Sequence, residues 1–213
     1  EALKEFRSRA LSPEHPVARG MAENPDTFFT HRESCNNYYD AVPAIVEDYM
    51  NKVSEITGRK YGLFSYYGAA DAERVIIAMG SVTEAIRETI DHLTAQGEKV
   101  GLVAVHLYRP FSAKHFLAAV PATAKTIAVL DRTKEPGTNG EPLYLDVKEC
   151  FYGKENAPVI VGGRYGLGSN DTTPAQILAV YENLALPEPK NQFTLGIVDD
   201  VTFTSLPQKE EVA

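Results

Sequence analysis

Five apolar runs in the last two thirds of the chain constrain the fold more than any other feature of the sequence. They are RVIIAMG, KVGLVAVHL, KTIAVLD, APVIVGG and FTLGIVDD. Runs of this kind are typical of strands that are covered on both faces. Stretches with helical spacing separate them, which predicts an α/β fold: a mostly parallel five-stranded sheet with helices on both faces.

Hydroxyl residues stand before three of the predicted helices. Ser81 is predicted to cap the helix after the first run, with Glu84 at the capping-box spacing. Ser112 is predicted to cap the next helix, and Thr173 followed by Pro174 is a typical opening for the last one.

Residues 1–70 differ in composition and are predicted to form an irregular, partly helical N-terminal arm in front of a sheet domain at 71–213. One clear helix is expected in the arm, with Asp40 as N-cap, Pro43 in the first turn and Gly58 at its end. Its apolar residues recur at three- and four-residue spacing: Val42, Ile45, Val46, Tyr49, Val53 and Ile56. Such a stripe has to pack on something, so we expect the arm to lie across a partner surface.

Composition excludes several classes of protein. The 213 residues carry a net charge of −8 without a run of Lys or Arg, which argues against nucleic acid or an anionic membrane surface as a partner. No apolar run is long enough for a membrane helix. The scattered Asp and Glu favour a soluble cytoplasmic protein. The two cysteines, Cys35 and Cys150, are expected to be separate thiols rather than a disulfide. A chain that opens on EALKEF without Met is expected to be a piece of a longer protein.

Ligands of parallel sheets collect beyond the carboxyl ends of the strands. The segments expected there are Gly80-Ser81, HLYRPF, DRTKEPG and GGRYGLGSND. The first could hold an anion at a helix N-terminus, but the phosphate-binding glycine fingerprint and the P-loop lysine are missing, so a plain turn is favoured. The other three supply the candidates for an interface or for anion binding, which are Arg109, Asp131, Arg132, Lys134, Arg164 and Tyr165.

Each of these loops has two interpretations. Arg109 could clamp a carboxylate or phosphate, or bridge to an acidic group on a neighbouring domain. The charges of DRTKE could orient a partner or satisfy each other. The glycines of GGRYGLG permit close approach of a backbone, which could belong to another protein segment.

Catalytic motifs are missing from the sequence. There is no Gly-Asp-Gly metal–diphosphate motif, no Gly-x-Ser-x-Gly elbow, no His-Glu-x-x-His and no cysteine cluster. His106 has no evident base partner. We therefore predict no catalytic, cofactor-binding or metal-binding residue in this chain.

Several long motifs resemble the pyruvate:ferredoxin (flavodoxin) oxidoreductase family. They are HPVARGMAENPDTFFTHRES, NNYYDAVPAIVEDYMNKVSEITGRKYGLFSYYGAADAERVIIAMGS, LDRTKEPG, EPLYLDVKE, VGGRYGLGSND and FTLGIVDDVTFTSLP. The resemblance covers nearly the whole chain but only an internal portion of the family's long polypeptide. It implies the tail of a first thiamine-enzyme domain followed by a second domain similar to the C-terminal domain of transketolase.

The resemblance also implies a function. The family oxidatively decarboxylates pyruvate to acetyl-CoA on thiamine diphosphate with Mg²⁺, and passes electrons through [4Fe-4S] clusters to ferredoxin or flavodoxin. These cofactors lie on other domains, so none is expected here, and the chain alone is expected to be inactive. A docking role toward the remaining domains, in a homodimeric enzyme, is favoured; the alternative is that the strand-end loops bind an anion such as coenzyme A through Arg164 and Lys134.

Overall fold

A six-stranded sheet forms the centre of the computed structural model, which describes residues 1–17, 20, 22–198 and 201–207. The strand order is β1-β3-β2-β4-β5-β6, and every pairing except β1 with β3 is parallel. The strands are β1 Phe64–Gly68, β2 Arg74–Met79, β3 Val100–Val105, β4 Thr126–Asp131, β5 Val159–Arg164 and β6 Phe193–Thr194. The predicted fold class, a mostly parallel sheet, is confirmed.

The predicted number of strands, five, is wrong by one. The additional strand, β1, pairs antiparallel with β3, from Phe64 opposite Val105 to Gly68 opposite Gly101. Its sequence FSYYG is short and half-buried, so it lacks the continuous apolar run of a central strand. This edge strand lies within residues 1–70, which were predicted to form the arm. The boundary between residues 70 and 71 stays a prediction, and so does the likeness to transketolase.

The last strand is shorter than FTLGIVDD predicted. β6 has two residues, and the amide of Leu195 still donates to the carbonyl of Arg164 at 2.9 Å. Ile197 and Val198 lie outside the sheet and are exposed. Their apolar side chains therefore did not indicate a strand. Asp199 and Asp200, at the end of the predicted run, lie outside the described residues.

Helices cover both faces of the sheet, as predicted. They are α4 Val82–Ala95, α5 Ala113–Ala119, α6 Pro142–Phe151 and α7 Pro174–Leu184. Alternate residues of β2 divide between the two cores: Ile76 and Ala78 pack with α4 and α7, whereas Val75 and Ile77 pack with α5 and α6. Burial on both faces explains why the central strands read as unbroken apolar runs.

One of the three predicted helix caps is formed. The Thr173 hydroxyl accepts a hydrogen bond from the amide of Gln176 at the start of α7, as predicted. Ser81 precedes α4 but makes no capping hydrogen bond, because its backbone is already helical rather than extended. Ser112 precedes α5, and its hydroxyl lies 2.6 Å from the Nδ1 of His115 instead of bonding the helix backbone.

Two compact units divide the chain, Glu1–Ala41 and Val42–Ala213. The first contains α1 Ala2–Ser8 and α2 Pro25–Ser34, neither of which has a buried residue. The second contains the sheet. The helix α3, Asn36–Thr57, runs across the division between them.

The predicted start of α3 is wrong. The helix begins at Asn36, so Asp40 is not its N-cap and Pro43 lies inside the helix rather than in its first turn. The spacing of Asp40 and Pro43 imitates a helix start, although the helix has already formed one turn earlier. Its end is as predicted: Gly58 takes a φ of +70°, and its amide donates to the Ser54 carbonyl at 2.9 Å.

Candidate functional site

Two neighbouring parallel strands bring five of the six candidate residues to one edge of the sheet. Asp131 and Arg164, the last residues of β4 and β5, stand opposite each other in the register. Arg132, Lys134 and Tyr165 lie within three residues of these strand ends. The five residues Asp131, Arg132, Lys134, Arg164 and Tyr165 are called here the strand-end cluster. Arg109 follows β3, which β2 separates from β4, and lies apart from that cluster.

Asp131 connects the end of β4 to the start of α6. Its buried carboxylate accepts hydrogen bonds from the amides of Leu143 at 3.0 Å and Tyr144 at 3.1 Å. These amides belong to the first turn of α6, where backbone donors lack a helical partner. Burial raises the pKa of Asp131 against the lowering effect of both hydrogen bonds. The N-terminus of α6 is therefore occupied by a carboxylate of the chain itself.

A carboxylate that the sequence analysis missed lies at the centre of the strand-end cluster. The side chain of Glu141 is only 4% exposed, and it accepts a hydrogen bond from the Glu135 amide at 2.7 Å. Its Oε1 lies 3.7 Å from the Nζ of Lys134 and 3.5 Å from the Nη1 of Arg164. Two predicted cations thus converge on one buried anion.

Arg164 is held on a second side as well. Its Nη2 donates to the carbonyl of Gln192 at 2.8 Å, and its side chain is 10% exposed. The guanidinium therefore joins the end of β5 to the segment that enters β6. Lys134 remains about half exposed, so the two cations differ in their access to solvent.

Arg132 and Tyr165 have different surroundings within the cluster. The Nε of exposed Arg132 donates to the Gly166 carbonyl at 2.8 Å. Gly166 has a φ of +63°, and a Cβ there would lie 3.1 Å from the same Nε, so a larger residue is disfavoured. Tyr165 is buried, its hydroxyl lies 3.5 Å from the Met79 carbonyl, and burial raises its pKa. Tyr165 is a core residue, whereas Arg132 faces outward.

Arg109 lies on the surface beside α6. Its Nη1 is 2.6 Å from the Oδ2 of Asp146, and its guanidinium carbon is 3.9 Å from the centre of the Tyr108 ring. About half of the side chain remains exposed. Arg109 is thus oriented by two neighbours without being buried.

A cleft of about 540 Å³ opens beyond β4, β5 and β6. Lys134 and Arg164 line one part of it, and Leu195 and Ile197 line another. Because Lys134 and Arg164 share the single carboxylate of Glu141, these three side chains carry one net positive charge. An anionic group could be attracted there, which is the geometric basis of the alternative that the sequence left open.

A second cleft, of about 630 Å³, lies at the opposite end of the strands and contains none of the six candidates. Its polar side chains have partners: the Tyr67 hydroxyl donates to Asp91 at 2.6 Å, and Lys99 lies 2.7 Å from Asp71. In the described part of the chain, no group of three or more His, Cys, Asp or Glu is arranged to hold a metal ion. Both cysteines are free thiols, as expected. None of the described helices is both long and apolar enough to cross a membrane.

The fold and the strand-end cluster define an α/β domain whose charged loops are bonded largely to each other. The family model described as pyruvate:ferredoxin oxidoreductase core domain II matches residues 72–177. The chain belongs to the pyruvate:ferredoxin oxidoreductase family and contains its core domain II. The resemblance inferred from the sequence is confirmed.

Relatives match almost the whole chain. A pyruvate-flavodoxin oxidoreductase of Klebsiella pneumoniae is 60% identical over 210 residues, which cover 99% of this chain and 18% of that protein. One of Enterobacter agglomerans is 59% identical over 97% of this chain and 18% of its own length. A pyruvate:ferredoxin oxidoreductase of Moorella thermoacetica is 56% identical over 212 residues, which cover 100% of this chain and 18% of that protein. The chain thus spans about a fifth of the length of these relatives.

A solved structure is similar at a lower level. It is a 2-oxoglutarate:ferredoxin oxidoreductase from Magnetococcus marinus with 2-oxoglutarate, coenzyme A and succinyl-CoA bound. The match covers 81% of this chain and 28% of that one, at 20% identity and a TM-score of 0.46. At that similarity the match carries no inference about a ligand of this chain.

Proposed function

We propose that this chain is a docking domain of a pyruvate:ferredoxin (flavodoxin) oxidoreductase, an enzyme whose longer polypeptide converts pyruvate to acetyl-CoA. The observation that carries the proposal is the inward orientation of the charges at the strand ends. Asp131 binds α6, and Glu141 binds Lys134 and Arg164. Groups used in this way hold loops in one conformation, and a fixed surface suits the contact with neighbouring domains.

The cofactors of the reaction belong elsewhere in this proposal. A [4Fe-4S] cluster takes four thiolates, and this chain has two cysteines. Thiamine diphosphate and Mg²⁺ lack a matching motif here as well. The longer polypeptide supplies these groups, uses coenzyme A as substrate, reduces ferredoxin or flavodoxin, and acts as a cytoplasmic homodimer.

Arg132 and Arg109 are the docking residues that we favour. Arg132 uses its Nε inside the domain, while the rest of its exposed guanidinium can donate to a carbonyl or carboxylate of a neighbour. Arg109 is oriented by Asp146 and Tyr108 and presents its remaining donors at the surface. The sheet domain of 71–213 would carry both, behind the arm of 1–70.

The first experiment compares activity in two forms of the protein. The longer polypeptide, loaded with thiamine diphosphate and Mg²⁺, should reduce a viologen dye when pyruvate and coenzyme A are supplied. The 213-residue chain under the same conditions should give a cooperative thermal transition and no reduction. Reduction by the short chain, or none by the long one, would overturn the proposal.

A charge reversal tests the docking role itself. Arg132→Glu in the longer polypeptide should weaken assembly in sedimentation velocity and lower dye reduction together, because its exposed donors are replaced by a carboxylate. Lys154→Glu is the matched control, since Lys154 is exposed and lies beyond the end of α6. Equal behaviour of the two variants would remove Arg132 from the interface.

The cleft beside Glu141 supports a second function, the binding of an anionic ligand such as coenzyme A. The net positive charge shared by Lys134, Arg164 and Glu141 favours it. Calorimetry of the 213-residue chain with coenzyme A should then give a binding heat that Lys134→Gln abolishes and Lys154→Gln leaves intact. Absence of heat in the parent chain would exclude this second function.

A further inference from the structure

The outer face of α3 presents a continuous row of apolar side chains to solvent. Ile45, Tyr49, Val53 and Ile56 follow each other at intervals of four, four and three residues, so they lie on one side of the helix. Their exposed fractions are 53%, 63%, 45% and 84%. From Ile45 to Ile56 the row, called here the α3 ridge, is about 17 Å long at the usual helical rise.

The contacts of α3 with the rest of the domain lie beside the α3 ridge. Val42, Val46 and Met50 are half-buried and form the neighbouring face. The carboxylate of Glu47 lies 3.6 Å from the Nε2 of His115 on α5. Because this adjacent side faces the domain, the ridge flanks the contact and its side chains stay open to solvent.

The charged residues beside Tyr49 are paired with each other. Lys52 and Asp48 form an ion pair of 2.6 Å along one side. The same Lys52 ammonium lies 4.8 Å from the centre of the Tyr49 ring. The ridge therefore offers an aromatic and branched aliphatic surface, which is complementary to an apolar groove.

We infer that the α3 ridge packs into an apolar surface of the same longer polypeptide, in a part that lies outside these 213 residues. The inference rests on the proposed function, in which this chain is one portion of a larger enzyme. Relatives that match nearly all of this chain are about five times as long, so most of their mass is available as the covering surface.

The size of the α3 ridge favours a tethered partner over a second copy of the chain. With a large side chain taken as about 200 Å², the four exposed fractions amount to roughly 500 Å². A stable complex of separate proteins buries about 800 Å² on each partner. A partner in the same polypeptide is held at a high effective concentration, so a smaller surface is sufficient.

The test introduces a charge on the ridge and, separately, on the opposite side of the same helix. Tyr49→Glu and Asn51→Glu are made in the longer polypeptide and in the 213-residue chain, since both positions are exposed here. Limited digestion with thermolysin reports how often the region opens. We expect Tyr49→Glu to raise the initial cleavage rate of the longer polypeptide on the order of tenfold, and Asn51→Glu to leave it unchanged.

The 213-residue chain and a milder variant complete the test. Neither glutamate should change cleavage of the short chain, and Tyr49→Phe in the longer polypeptide should restore the parent rate. Equal rates for the two glutamate variants of the longer polypeptide would overturn the inference. So would a short chain that dimerises through Tyr49 while the longer polypeptide is insensitive, because the occupant would then be a second copy.

Failure of the inference is distinguishable from failure of the proposed function. The cleavage rates are measured whether or not the longer polypeptide reduces a dye with pyruvate. If the unmodified longer polypeptide showed no pyruvate-dependent reduction, the proposed function would be overturned. The cleavage rates of the ridge variants could still be compared. An active parent with an insensitive ridge would overturn only the inference.

Discussion

The strand-end cluster and the α3 ridge are both prominent in the sequence, yet they differ in how far the chain satisfies them. At the strand ends, the carboxylates of Asp131 and Glu141 find donors inside the domain. On α3, four apolar side chains remain exposed. The comparison teaches that a dense group of loop charges can be internal structure, while an uncovered apolar row on a well-formed helix is the better sign of an interface.

Removing the buried carboxylate at the strand ends should have the largest effect. Glu141→Ala leaves the Arg164 guanidinium, 10% exposed, without its anion, which typically costs about 3–5 kcal/mol in the free energy of unfolding. Urea denaturation of the 213-residue chain measures the loss. Glu84→Ala is the control, because that carboxylate is 75% exposed and lies 3.6 Å from Arg87, and it should cost less than about 1 kcal/mol. Similar losses for both would mean that the cluster is not an internal framework.

Asp131 should make the stability of the cluster depend on pH. Because burial raises its pKa, the folded state binds a proton there more tightly than the unfolded state, whose carboxyl titrates near the ordinary 3.8. The free energy of unfolding contributed by this group therefore increases as pH falls from neutral through the raised pKa, and it levels off below the ordinary value.

The variant Asp131→Asn removes this titration and one of the two acceptor oxygens for the α6 amides. At neutral pH we expect it to cost about 1–2 kcal/mol. The difference between parent and variant should grow as pH falls, measured by urea denaturation at several pH values. A difference that shrinks would show that the two hydrogen bonds outweigh the burial of the carboxylate.

The sequence was informative about the fold where burial on both faces makes a strand continuously apolar. The four central strands and the four helices of the sheet domain follow from such runs and from helical spacing. β1 was missed because an edge strand needs apolar residues on one side only, and FSYYG lies in an aromatic segment that resembled an arm. β6 was predicted too long because Ile197 and Val198 are apolar but exposed.

The candidate site was predictable only in part. The rule that ligands gather at the carboxyl ends of strands located the loops, and parallel pairing of β4 with β5 brought five candidates together. The role of Glu141 was not predictable, because its burial depends on contacts with Lys134, earlier in the same loop, and with Arg164 at the end of β5. Its position before Pro142, at the start of a helix, was the one local signal.

The starts of α7 and α4 allow a similar comparison between a satisfied and an unsatisfied site, with smaller effects on stability. Thr173→Ala removes the hydroxyl that accepts from the Gln176 amide, so it should cost about 1 kcal/mol in the free energy of unfolding. Ser81→Ala should change stability by less than about 0.5 kcal/mol, because that serine makes no capping hydrogen bond. Both are measured by urea denaturation, and a larger loss at Ser81 would reverse the assignment of the two caps.

The smallest effect is expected on the α3 ridge, and it is the most informative about the interface. In the 213-residue chain, Ile56→Ala should change the free energy of unfolding by less than about 0.5 kcal/mol, because this side chain is 84% exposed. Ile77→Ala, in the fully buried part of β2, should cost about 2–5 kcal/mol by comparison.

The two substitutions remove the same atoms, and the large difference in burial between the two positions dominates the expected losses. A loss above about 1 kcal/mol for Ile56→Ala would mean that the chain already packs its own ridge, and no free face would remain for a partner. A negligible loss in the short chain together with a clear one in the longer polypeptide would show that the remainder of the enzyme supplies the missing burial. The stability of α3 would then belong to the assembled enzyme, whereas that of the strand-end cluster belongs to this domain alone.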